Sequence, residues 1–105
     1  MSNGFDKLKL YELLTLIPKG KVITYGQLAE ILGNKNYARA VGNALHKNPD
    51  GEKYPCYKVV NSKGELSNMY AFGGIEEQKC RLEADGIKVE NYKVDLNIYC
   101  IDIQD

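Results

Sequence analysis

The chain has 105 residues, 44% of them hydrophobic, and its 14 basic and 14 acidic side chains cancel to a net charge of zero. This length builds one core of radius about 13 Å. No apolar run nears the roughly 18 residues of a membrane helix, and Met1-Ser2-Asn3-Gly4 has no signal-peptide pattern, so one cytoplasmic domain over 1–105 without a separate N-terminal domain is expected. Seven basic residues face three acidic ones up to Asn48 (+4), and seven face eleven from Pro49 onward (−4). A basic half meeting phosphates and an acidic half turned away would fit that asymmetry, as would two ordinary solvated surfaces.

Phe5 to Ile17 reads as the first helix, with Leu10, Leu13, Leu14 and Ile17 on one face and Pro18 and Gly20 ending it. Lys21-Val22-Ile23 is a short extended piece, and Thr24 suits the N-cap of a second helix running to about Leu32. Gly33-Asn34-Lys35-Asn36 is a turn, with Asn36 capping a third helix that ends near Lys47, ahead of Asn48-Pro49-Asp50-Gly51. In Pro55-Cys56-Tyr57-Lys58-Val59 the proline stiffens the backbone that leads to a cysteine inside a β-prone run. Asn61-Ser62-Lys63-Gly64 is the turn after that strand. A fourth helix is predicted from Ile75 to Ala84 with Gly86 as its stop. A small hairpin about Asn91-Tyr92 would join Ile87 to Glu90 with Lys93 to Leu96, and the spacing from Ile98 to Asp105 assigns no element.

A short helix, a turn containing glycine and a second helix resemble a helix-turn-helix, whose second helix docks on DNA. Here that helix carries Ala38, Arg39, Ala40, Gly42, Asn43 and Ala44. A mid-helix glycine costs about 1 kcal/mol relative to alanine. Such small residues either pack against another helix or admit a sugar-phosphate groove with Arg39 as the long probe. Cys56 is a candidate nucleophile or a buried structural cysteine. Cys80 and Cys100 sit in no motif and read as structural, and the three cysteines with one histidine compose neither a disulfide framework nor a zinc site. Lys19, Lys21, Lys35 and Lys47 are candidate phosphate contacts or simply solvated lysines.

Ile17-Pro18-Lys19-Gly20-Lys21-Val22-Ile23-Thr24-Tyr25-Gly26-Gln27-Leu28-Ala29, Ala38-Arg39-Ala40-Val41-Gly42, Asn48-Pro49, Pro55-Cys56-Tyr57-Lys58-Val59-Val60 and Gly73-Gly74 follow one another in a familiar order. From Ile17 to Gly86 the chain resembles the DNA-binding domain of the O6-alkylguanine-DNA alkyltransferases and their alkyltransferase-like relatives. The resemblance implies a mainly α fold with a small β element: a winged-helix-like three-helix DNA-binding domain with a helix-turn-helix, a C-terminal helix and short strands. It also implies a monomer that binds double-stranded DNA containing alkylated guanine through the minor groove. Such a protein flips the damaged base and takes the alkyl group irreversibly onto Cys56, with no metal or organic cofactor. By matching positions, Arg39 fills the vacated space in the stack and Tyr25 helps turn the nucleotide and contacts the base. Thr24, Gln27, Ala38, Ala40, Gly42, Asn43 and Asn48, with Lys58, Val59 and Ser62 beyond the cysteine, complete the implied DNA and base contacts.

Two departures bear on activity. The family places histidine and arginine after the cysteine, where this chain has Tyr57 and Lys58, so the relay that draws off the thiol proton reads Cys56, Tyr57, Asp85. A tyrosine of ordinary pKa near 10 is a poor base. His46, at the end of the third helix, reads as a phosphate contact instead of a substitute. The stretch Asn68-Met69-Tyr70-Ala71-Phe72, one wall of the family's base pocket, is about two residues longer than usual. Size, by contrast, matches the alkyltransferase-like proteins, non-catalytic lesion sensors that hand alkylated DNA to nucleotide excision repair and usually carry tryptophan in place of the cysteine.

Overall fold

The computed structural model describes residues 5–68 and 70–101. Among them, five helices surround one parallel pair of two-residue strands. The helices are α1 (Lys7–Leu14), α2 (Tyr25–Ile31), α3 (Ala38–His46), α4 (Gly74–Ala84) and α5 (Leu96–Tyr99); the strands are β1 (Ile23–Thr24) and β2 (Val59–Val60). The mainly helical fold with a small β element is the one the resemblance implies.

Asp6 starts α1 by accepting from the Leu8 and Lys9 amides at 3.0 and 3.2 Å. The helix is shorter than 5–17 because Thr15 Oγ1 donates to Glu12 O at 2.6 Å and competes for the carbonyl that would continue it. Thr24 and Gln27 close α2 with a reciprocal capping box: Thr24 Oγ1 accepts from the Gln27 amide (3.1 Å), and Gln27 Oε1 accepts from the Thr24 amide (2.9 Å). The expected cap at Asn36 is corrected. Asn34 caps instead, accepting from the Asn36 amide at 2.8 Å, and a 3₁₀ turn over Lys35–Tyr37 leads straight into α3.

Cys56 lies just ahead of the strand that Val59 and Val60 form. Cys56–Lys58 is a 3₁₀ turn closed by Lys58 N donating to Pro55 O at 3.2 Å, and β2 begins only at Val59. The strands pair Ile23 with Val59 and Thr24 with Val60. Side chains alternate along a strand, so this short pair divides two apolar clusters. Ile23 and Val59 join Leu10, Leu14, Leu28, Val41 and Leu45, while Val22 and Val60 join Leu66, Leu82, Ile87 and Val94. A leucine buried as completely as Leu10 or Leu82 contributes about 1.5–3 kcal/mol.

The stretch from Ile98, to which no element was assigned, finishes the second cluster. After α5, Cys100 bridges Val22 in parallel, with Val22 N donating to Tyr99 O and Ile101 N donating to Val22 O, both at 2.8 Å. Residues 102–105 of that stretch lie outside the described residues. The expected hairpin shrinks to its turn. Glu90 and Lys93 exchange both backbone bonds around Asn91 and Tyr92, whose φ of 54° and 59° form a left-handed two-residue loop. The residues beyond the turn pair elsewhere, Leu66 N with Tyr92 O and Val94 N with Gly64 O.

Candidate nucleic-acid and thiol site

Tyr25 from the start of α2, Gly42, Leu45 and His46 from α3, Cys56, Val59, Ser67, Tyr70, Ala71 and Gln78 from α4 line one cavity of about 30 Å³. That volume takes one or two water-sized groups and not a purine, so a base enters only as a wall yields. Ser67, Tyr70 and Ala71 form the wall that has neither helix nor strand. The thiol and the Arg39-bearing helix therefore meet at one place.

Cys56 is buried, and burial pushes its thiol pKa up; a hydrogen bond from the Asn48 side chain, its own backbone and the charge of Arg81 offset this in part. Asn48 is itself buried, donating from Nδ2 to Tyr54 O at 2.7 Å and accepting at Oδ1 from the Asp50 amide at 3.0 Å. The side chain is turned to the thiol and the loop that carries it.

Tyr57 Oη donates to Asp85 Oδ2 at 2.6 Å. Burial, then the hydrogen bond and charge of Asp85, push the phenol pKa far above its ordinary range. The structure brings Tyr57 and Asp85 together, but the phenol holds its proton and is no base at neutral pH. Among the described residues no hydrogen bond links it to Cys56 Sγ.

The implied DNA contacts divide into two sets. Arg39 and Asn43 are exposed and Ala38, Ala40 and Gly42 are half-buried along α3; the Arg39 side chain makes no ion pair or hydrogen bond among the described residues. A methyl group added at Gly42 would meet nothing within 4 Å, so internal packing does not require glycine there. Tyr25 lines the cavity, its pKa raised by burial, with a hydrogen bond to Ser67 acting the other way and Cys56 nearby. Val59 is in the core and also lines the cavity. Ser62 is exposed in the turn closed by Gly64 N donating to Asn61 O, and is not among the cavity residues.

Lys58 is turned inward. It is 7% exposed and its Nζ donates to Ile17 O at 2.7 Å, tying the cysteine turn to the segment that follows α1; burial lowers its pKa. Thr24 and Gln27 are also engaged within the fold. Thr24 is buried in the capping box, and Gln27 Nε2 donates to Ile101 O at 3.0 Å while Oε1 accepts from Cys100 Sγ at 3.2 Å. Lys21 Nζ donates to Ile98 O at 3.3 Å. His46 is exposed and lines the thiol cavity.

Two site residues escaped sequence reading, Ser67 and Gln78, whereas Tyr70 and Ala71 belong to the stretch that the resemblance gave as a pocket wall. Gln78 is 1% exposed; Nε2 donates to Tyr57 O and Val59 O (3.0 and 3.1 Å), and Oε1 accepts from the Ser67 amide (2.8 Å). Its signal was present, since one amide interrupts the apolar face of Ile75, Gln78 and Leu82 at helical spacing. Among the described residues no group of three or more His, Cys, Asp or Glu could hold a metal ion, and no helix is long and apolar enough to cross a membrane.

The family model for the 6-O-methylguanine DNA methyltransferase DNA-binding domain matches residues 7–87. A bifunctional methyltransferase/endonuclease of Picrophilus torridus is 49% identical over 90 residues, which are 86% of this chain and 30% of that protein. A DNA base-flipping protein of Vibrio parahaemolyticus is 43% identical over 82 residues, 78% of this chain and 80% of its own length. Among solved structures, S. pombe Atl1 in complex with damaged DNA containing O6-carboxymethylguanine superposes with a TM-score of 0.82 at 36% identity, covering 92% of this chain and 94% of that one. Family model, relatives and fold agree with the motif order from Ile17 to Gly86: the chain belongs to the family of 6-O-methylguanine DNA methyltransferase DNA-binding domains.

Proposed function

We propose that this protein is a DNA repair factor that binds double-stranded DNA containing alkylated guanine, everts the lesion and takes its alkyl group onto Cys56. The observation that carries this reading is that Tyr25, Gly42 and Cys56 line one cavity, at the helix whose exposed start bears Arg39. Small residues on α3 let the duplex approach closely, Arg39 takes the place of the everted nucleotide, and Tyr25 meets the base. The Cys56 thiol gives up its proton, and sulfur attacks the alkyl carbon. A C–S bond forms as the C–O6 bond breaks, and its electron pair passes to guanine, which is protonated. The thioether is final, so each molecule acts once, in the cytoplasm, where thiols are kept reduced. Excision repair proteins, where they join, would meet the acidic half.

The test is intact mass after incubation with a duplex containing O6-methylguanine. A gain of one methyl, lost in Cys56→Ala, is expected. Tight, lesion-selective binding without mass gain would replace transfer by lesion sensing. Equal affinity for damaged and undamaged duplex would remove the reading altogether.

A further inference from the structure

Tyr70 is 8% exposed, and its hydroxyl is the buried side-chain oxygen that lacks a hydrogen-bond partner among the described residues. Native structures seldom leave such a group without a partner, and a catalytic role is one of the few reasons for doing so. The ring is held from several sides. Phe72 packs against it edge-on at 5.9 Å, and the Arg81 guanidinium lies 5.9 Å from the ring centroid. Phe72 is in turn seated so tightly on Gly51 that a methyl group there would approach its ring to 2.8 Å. Arg81 is steadied by Glu77 at 3.0 Å. The ring lines the same cavity as Cys56, Tyr25 and Ser67.

The other polar groups at that cavity are engaged. The Gln78 amide bonds three backbone groups, and Tyr25 bonds Ser67. Tyr70 alone brings an uncommitted hydroxyl to the reacting sulfur. We propose that Tyr70 is a specificity-determining residue whose hydroxyl donates a hydrogen bond to O6 of the everted alkylguanine. This rests on the alkylated-DNA reading above.

Chemically, O6 is where charge collects as its bond to the alkyl carbon breaks, and a hydroxyl donor that meets it once the base has entered is matched to the transition state. The donor keeps its proton: burial pushes the Tyr70 pKa up to about 12, with Arg81 acting against the shift and Cys56, Glu77 and Glu52 adding to it. Tyr57, anchored to Asp85, also faces it.

The experiment compares the full chain and Tyr70→Phe by melting temperature and by affinity for an O6-methylguanine duplex against the same duplex with guanine. Removing an unpartnered hydroxyl should leave the melting temperature equal or higher. Preference for the lesion should fall by about tenfold or more, with plain-duplex affinity unchanged. A Tyr70→Phe variant that keeps the parent's full preference overturns the inference alone. So does one that melts well below the parent, since the hydroxyl would then have a partner in the fold. A parent without lesion preference overturns the functional reading, and this inference with it.

Discussion

Tyr57 and Asp85 are joined by a 2.6 Å hydrogen bond in which the phenol is the donor. A residue bonded in this sense supplies no base to its neighbour Cys56, whose thiol is already raised by burial. At neutral pH the thiolate fraction is then below the few per cent of a free cysteine. Single-turnover alkylation of Cys56 should climb steadily as pH rises from 7 toward the thiol pKa, about tenfold per pH unit. Tyr57→His would set an imidazole beside the same carboxylate and should speed modification at pH 7 by about 10²-fold. Rates taken by quenched mass spectrometry decide this; an unchanged Tyr57→His rate would show that Asp85 does not orient a base at this position.

Alkali should unfold the protein in a defined window. A tyrosine whose pKa is raised by folding adds stability that is fully present below its unfolded value of 10.0 and is lost as pH rises toward the folded value, about 12 for Tyr70. Tyr57, Tyr25 and Tyr11 are shifted in the same direction, each chiefly by burial. Denaturant midpoints should fall between pH 10 and 12, and less steeply in Tyr70→Phe. A flat profile across that range would contradict the burial of these rings.

Arg39 is exposed at the start of α3. Arg39→Ala should change stability by less than about 0.5 kcal/mol and weaken binding to lesion-bearing duplex by about 1–3 kcal/mol. Calorimetric melting and fluorescence anisotropy read the two quantities separately. A large drop in melting temperature would make the arginine a structural residue.

Two glycines should behave oppositely. Gly42→Ala enters open space in a helix and should stabilise the fold by about 0.5–1 kcal/mol, yet hold a duplex farther off and lower its affinity. Gly64 sits at φ +83° with the Val94 carbonyl where a side chain would begin. Gly64→Ala should cost about 2–4 kcal/mol by urea titration. Equal effects at the two positions would mean that neither is read correctly.

What could be read from the residues alone follows from the range of the interactions. The Thr24–Gln27 box, the Gly86 stop and the two-residue turn at Asn91 and Tyr92 are local, so short sequence patterns carry them. Opaque features have distant partners. Gln27 meets Cys100 73 residues away, and Lys58 meets Ile17 41 residues away, so neither internal partner can be read from neighbouring residues. The backbone at Cys56 misled in another way: valines at 59 and 60 do form a strand, but Pro55 forces a tight turn just before it. At the site, motif order singled out Tyr25 and Cys56 and gave the stretch holding Tyr70 as a pocket wall, while its unusual length hid which of its side chains turns inward.

The inward lysine at 58 makes the protein its own strain gauge. An ammonium held by a carbonyl just past the opening helix is hidden from amine-acylating reagents and from trypsin, whereas the lysines at 53 and 63 on either side are open to both. Labelling at this one amine therefore reports when the cysteine turn parts from the first helix, whether through heat, denaturant or a spent, alkylated sulfur.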